Sequence, residues 1–166
     1  MCIRDRPDAG SPVRWVRVKY NPTVENEITV VTLSDDGYLD AYVWDGFSWS
    51  VTNNIGYVGT TVNAYRCFDL VYESSSGDAM LVFSTGGTNP ELQYVTRARG
   101  STTWSVTGSI DLEVNDPVYW VAMERKPGNF DEIAVIITVD SSTLTLPSLS
   151  ERNPPSSWPA TPVILE

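Results

Sequence analysis

The sequence predicts an all-β protein built of tandem four-stranded antiparallel units. Three observations predict it: a self-match at a shift of 105 residues, a half-period of about 53 residues, and period-two alternation inside each unit. At the 105 shift Trp15 falls on Trp120, Val16 on Val121, Pro22 on Pro127, Glu27 on Glu132 and Ile28 on Ile133. Val30 then meets Val135, Asp35 meets Asp140 and Leu39 meets Leu144, giving eight identities in 25 gap-free positions. Trp49-Ser50-Val51-Thr52 returns as Trp104-Ser105-Val106-Thr107, and Trp158 follows Trp104 by 54.

The first strand of a unit alternates, as in Val16-Arg17-Val18-Lys19-Tyr20, and should be half-buried with its apolar residues inward. Its second copy is Phe68-Asp69-Leu70-Val71-Tyr72, and the third opens Val121-Ala122-Met123. A turn rich in Pro, Ser, Gly and Asn follows, Lys126 to Asn129 in the third copy. The second strand is apolar on both faces (Ile28 to Leu33, Ala79 to Phe83, Ile133 to Val139), which predicts burial on both sides. Asp35-Asp36-Gly37 and Thr85-Gly86-Gly87 supply hairpin turns. The third strand is Leu39 to Trp44 or Leu92 to Arg97, and the fourth is built around the recurring Trp. No stretch holds a capped 3.6-residue apolar period, so no substantial helix is expected.

Four short strands per repeat of about 50 residues is the sequence form of β-propeller blades, each covering its neighbour's apolar face. A β-sandwich is the competing architecture, but it has no reason to repeat at these periods. The expected organisation is a non-native or disordered leader over 1–12, blades over 13–64, 65–117 and 118–158, and the start of a further blade over 159–166. Met1 to Arg6 lacks the apolar core of a secretory signal and resembles translated adapter sequence. Three blades are about half of a ring, so the chain is expected to be a fragment whose end blades associate with the rest of a propeller or with further copies.

A net charge of −10 with only 11 Lys and Arg argues against a nucleic-acid partner. Apolar runs such as Ile133 to Ile137 are too short to cross a bilayer. The absence of histidine removes His-dependent catalysis and metal ligation, and no cofactor or metal site is expected. Cys67, within an apolar pattern, reads as a buried inert thiol.

Trp44-Asp45-Gly46-Phe47-Ser48-Trp49 resembles the W-[DN]-G-x-x-W blade ending of uncharacterised bacterial surface-type propeller repeats. Tyr65 to Asp78 is similar to the stretch that opens the following blade there. The resemblance covers nearly the whole chain from about Val13. It speaks to architecture more than to activity; the leading functional expectation is a non-catalytic extracellular or cell-surface module for adhesion, ligand binding or scaffolding. A glycan or protein ligand is the partner implied. The later endings, before Trp104 and Trp158, lack the Trp-Asp-Gly start. The fit to the Asp box of sialidase-type propellers is poor, because Gly46 and Asp45 are each displaced by one position. A propeller glycosidase fragment and a purely structural array are the alternatives, the former requiring a third Arg and a Tyr–Glu pair.

Arg14 and Arg66 open the first strand of successive copies and could face one anionic ligand, although Tyr119 takes that place in the third copy. Trp44, which has no Trp counterpart, is the candidate for stacking on a ligand, while the other tryptophans are expected to pack between blades. Asp35, Asp36 and Asp40 around Gly37 could suit Ca²⁺, but a β-turn explains them more simply.

Overall fold

The computed structural model describes residues 10–125, 133–139, 143–149 and 163–165. The fold is all-β: three separate four-stranded antiparallel sheets, each made from one contiguous stretch of chain. Sheet 1 holds β1 (Val13–Tyr20), β2 (Ile28–Ser34), β3 (Tyr38–Trp44) and β4 (Trp49–Tyr57) in sequential order. Sheet 2 holds β5 (Phe68–Tyr72), β6 (Ala79–Ser84), β7 (Leu92–Arg97) and β8 (Ser105–Ile110). Sheet 3 holds β9 (Trp120–Arg125), β10 (Ile133–Thr138), β11 (Thr143–Leu149) and β12 (Val163–Leu165). A single helical turn, α1 (Gly59–Val62), links the first two sheets.

The sheets pack face to face in chain order. We call the face turned toward the preceding sheet the front and the opposite face the back. Val31, Leu33, Leu39 and Ala41 on the back of sheet 1 meet Phe68, Leu70, Leu81 and Phe83 on the front of sheet 2 in one buried core. A second core joins Val71, Val82 and Leu92 on the back of sheet 2 to Val121, Met123, Val135 and Ile137 on the front of sheet 3. Sheet 2 is covered on both sides, which is why the doubly apolar β6 is almost wholly buried.

The outer sheets depart from the burial that alternation predicts. On β1 the apolar set Val16, Val18 and Tyr20 is exposed, while Arg17 and Lys19 are half-buried against sheet 2. Alternation identifies two faces but not which one receives a neighbour, and the neighbour lies on the side of Arg17, whose guanidinium Asp69 neutralises. Likewise β10, apolar throughout in sequence, alternates between buried and exposed because only its front is covered.

Backbone pairing also relocates one boundary. Val163–Leu165 pairs with Thr143–Thr145 as the fourth strand of sheet 3, whereas the sequence reading places 159–166 at the start of a further unit. A short apolar run carries no mark of its pairing partner. Trp158, Glu132, the Lys126–Asn129 turn and residues 1–9 lie outside the described residues. Within the expected leader, the Pro12 carbonyl accepts the Asp35 amide at 2.8 Å.

Two turns hold the linker between sheets 1 and 2. Gly37 has φ +86° and Gly86 has φ +70°, the left-handed region in which glycine is at ease. A Cβ on Gly37 would stand 2.6 Å from the Gly59 carbonyl oxygen, and one on Gly86 would stand 2.3 Å from that of Val58. The linker thus runs between the two hairpins at backbone contact, and the Val58 amide donates to Gly37 at 2.9 Å.

Candidate functional site

The first strands of the three sheets converge, and two of the four ion pairs among the described residues lie there. Arg17 of β1 donates twice to Asp69 of β5, at 2.6 and 3.0 Å, and Asp69 also accepts the Met123 amide of β9 at 2.9 Å. Lys19 lies 3.7 Å from Glu124. One carboxylate therefore ties three sheets together, with its lone pairs occupied by the fold.

Beside this knot lies an aromatic cleft of about 420 Å³, lined by Tyr65, Tyr119, Trp120, Thr138 and Val139. Tyr65 belongs to the segment entering β5 and Tyr119 to the residue before β9; their rings meet edge to face at 5.1 Å. Two backbone bonds fix the walls: Tyr119 N–H to Thr138 O at 2.9 Å and Val121 N–H to Arg66 O at 3.0 Å. Trp15 packs edge-on against Trp120 at 6.0 Å and donates its indole N–H to Ala64 O at 3.2 Å. Among the described residues, no charged side chain lines the cleft.

The three sequence candidates do not form one site. Arg14 is paired with Asp35 at the surface of its own sheet. Arg66 stacks on the Trp120 ring at 4.3 Å and donates to Val121 O at 3.2 Å. Burial lowers its pKa, offset in part by the Asp69 charge and reinforced by that of Arg17, yet guanidinium remains cationic throughout the physiological range. Arg66 is thus the rear support of a cleft wall. Trp44 stands 5.4 Å from Trp49 on the front of sheet 1, half-buried, away from the cleft.

Asp35, Asp36 and Asp40 have separate engagements: with Arg14, with the Ser34 hydroxyl, and with the Asn54 amide at 2.8 Å. Among the described residues no group of three acidic or thiol ligands has metal-binding geometry. Asp45 accepts the amides of Phe47 and Ser48 at 2.8 and 2.7 Å, which lower its pKa; the Trp-Asp-Gly triplet is a turn staple here.

Trp49 and Trp104, expected to be buried, are both half-buried. A Tyr–Glu–Arg cluster does occur, in Tyr72, Glu27 and Arg97, but it is sealed between sheets 1 and 2, where no substrate reaches it. Tyr65 and Tyr119 were missed as site residues. The signal available was the break in the arginine series at Tyr119, which puts an aromatic where the other copies carry a cation.

No protein family, curated protein or solved structure matches the chain.

Proposed function

We propose that the chain is a sector of a β-propeller serving as a non-catalytic, cell-surface binding module, and that the Tyr65–Tyr119–Trp120 cleft takes a neutral glycan. The propeller reading is supported by the convergence of β1, β5 and β9 on Asp69 while each following strand steps outward within its sheet. The ligand reading rests on the cleft itself. Aromatic faces stack on the C–H faces of a sugar ring, and the Thr138 hydroxyl supplies a polar contact beside Val139 among the described lining residues. Tyr65 and Trp120 remain exposed where a core aromatic would be covered. Arg66 behind Trp120 keeps the indole fixed in orientation, so little side-chain freedom is lost on binding.

A glycan array followed by calorimetric titration tests the reading. Binding that Trp120→Ala abolishes and Trp44→Ala leaves intact supports it. An array without hits, or binding insensitive to Trp120→Ala, overturns it.

A further inference from the structure

The first strands of the three sheets also end together, and their last two residues enclose a second cleft. Lys19 and Tyr20 close β1, Val71 and Tyr72 close β5, and Glu124 and Arg125 close β9. These six line a cavity of about 240 Å³. Lys19, Val71 and Glu124 hold one position of the repeat, and Tyr20, Tyr72 and Arg125 hold the next. The aromatic cleft lies at the opposite ends of β5 and β9 and shares no residue with this one.

Charge here has the opposite sign to that of the chain. The lining carries two cations and one carboxylate, a single positive charge in a chain of net charge −10. Its internal pairing is loose: Lys19 Nζ stands 3.7 Å from Glu124 Oε2, and the Glu124 side chain is 72% exposed. An exposed pair of this length contributes little, so an incoming anion can take Lys19 from Glu124 at small cost. Arg125 uses its backbone amide, which donates to Glu124 Oε1 at 3.1 Å, while its guanidinium has no partner among the described residues. Tyr72 offers only its ring, because its hydroxyl is engaged with Glu27 and Arg97.

We propose that this cleft binds a small organic monocarboxylate, held by Arg125 and Lys19, with its apolar body against Val71 and the tyrosine rings. Guanidinium presents paired donors that match the two oxygens of a carboxylate. A monoanion brings the charge of the lining to zero. A dianion would leave it negative, beside Glu124 and in the field of an acidic chain. The volume falls below the 300 Å³ or so at which sites for drug-sized ligands begin, which limits the ligand to about one ring and its carboxylate. The inference stands on this cleft alone and not on the glycan reading.

Titration of the isotopically labelled chain with benzoate, followed by amide chemical shifts, tests the proposal, with sulfate at matched ionic strength as the dianion. Benzoate is expected to shift the amides of Lys19, Tyr20, Val71, Tyr72, Glu124 and Arg125 saturably, and sulfate to bind at least about tenfold more weakly. Arg125→Gln should weaken benzoate binding by at least about tenfold, the loss of one charged hydrogen-bonding partner. Glu124→Gln should strengthen it and narrow the gap to sulfate, since two uncompensated cations then remain. Glu124 is largely exposed, so this variant should keep the wild-type circular dichroism spectrum and decides the matter even if Arg125→Gln unfolds. Absence of a saturable benzoate shift overturns the proposal, as does binding insensitive to Arg125→Gln or weakened by Glu124→Gln. Sulfate binding to the wild type as tightly as benzoate overturns it too. Trp120→Ala should leave benzoate binding intact; binding lost in that variant would belong to the aromatic cleft and would overturn the assignment.

Discussion

Arg97 reaches Glu27 at 2.6 Å between the first and second sheets, with 1% and 4% of the two residues exposed. The same guanidinium donates to the Tyr72 hydroxyl at 2.9 Å, and Glu27 also accepts from Tyr72 at 3.1 Å and from Asn21 at 2.8 Å. A buried ion pair of this kind contributes little net stability over an apolar isostere, but breaking it strands a charge. It joins sheet 1 to sheet 2, since the cation at position 97 compensates the buried carboxylate at 27.

Arg97→Met should therefore destabilise the fold by ~3–5 kcal/mol, and Glu27→Gln with Arg97→Met should recover much of that loss. Urea unfolding of the single and double variants provides the check. Burial alone pushes the Glu27 carboxyl up, but hydrogen bonds from Arg97, Asn21 and Tyr72, together with the Arg97 charge, hold it below its ordinary 4.5. A carboxyl whose folded pKa is depressed stabilises fully above its unfolded value and loses that contribution as pH falls through the folded one. Wild-type stability should fall on acidification below about pH 4.5, and Glu27→Gln should show a shallower fall.

Rows across the sheets predict a second contrast. Leu70→Ala should destabilise by ~2–5 kcal/mol, since Leu70 is fully buried between two sheets. Val18→Ala, at the corresponding place on β1 where the side chain is 56% exposed, should change stability by less than ~0.5 kcal/mol. Denaturant midpoints measured side by side decide it.

Much of this architecture was legible in the chain, and what was not has a definable cause. Period-two alternation and the 105-residue echo located strands in all three sheets, because burial on a face constrains residue type at every second position. The same alternation could not say which face of β1 is covered, since Val16, Val18 and Tyr20 look like core residues whether or not a neighbour is present. The equivalence of Trp44 and Arg97 was invisible because no identity marks it; only pairing register aligns them. The cleft was hidden for another reason. Tyr65 and Trp120 are 55 positions apart and meet only through packing of sheet 2 on sheet 3.

Gly37→Ala and Gly86→Ala should each lower the melting temperature well beyond the effect of an ordinary surface substitution. Each would combine the strain of a positive φ, about 1 kcal/mol, with a backbone carbonyl standing where the methyl must go. Thermal unfolding followed by circular dichroism tests both. A shift of under a degree at either position would show that the linker can move aside.

Burial pushes the Cys67 thiol up to about 12, so almost no thiolate exists at neutral pH. In a Cys2→Ser background, a thiol reagent should label Cys67 only at the rate at which the fold opens, and labelling should become immediate in urea. The Tyr72 phenol, also raised by burial to about 12, should ionise well above the ordinary tyrosine range in an ultraviolet pH titration, and Tyr72→Phe should remove that late step.

Each sheet is drawn from one unbroken stretch of chain and lends no strand to its neighbour. In genetic terms, the piece of DNA that encodes a sheet can be copied or lost whole without orphaning a β-ladder. A single-unit duplication would set like against like, matching a front to a back with which it had never been selected. A duplication of two units, about 105 codons, carries both halves of an interface such as that of Glu27 and Arg97 together. That difference gives a reason for the echo at 105 being stronger than the echo at 53. Electrostatic partners across a joint are inherited as a pair, and the pair sets the size of the unit that recombination can move.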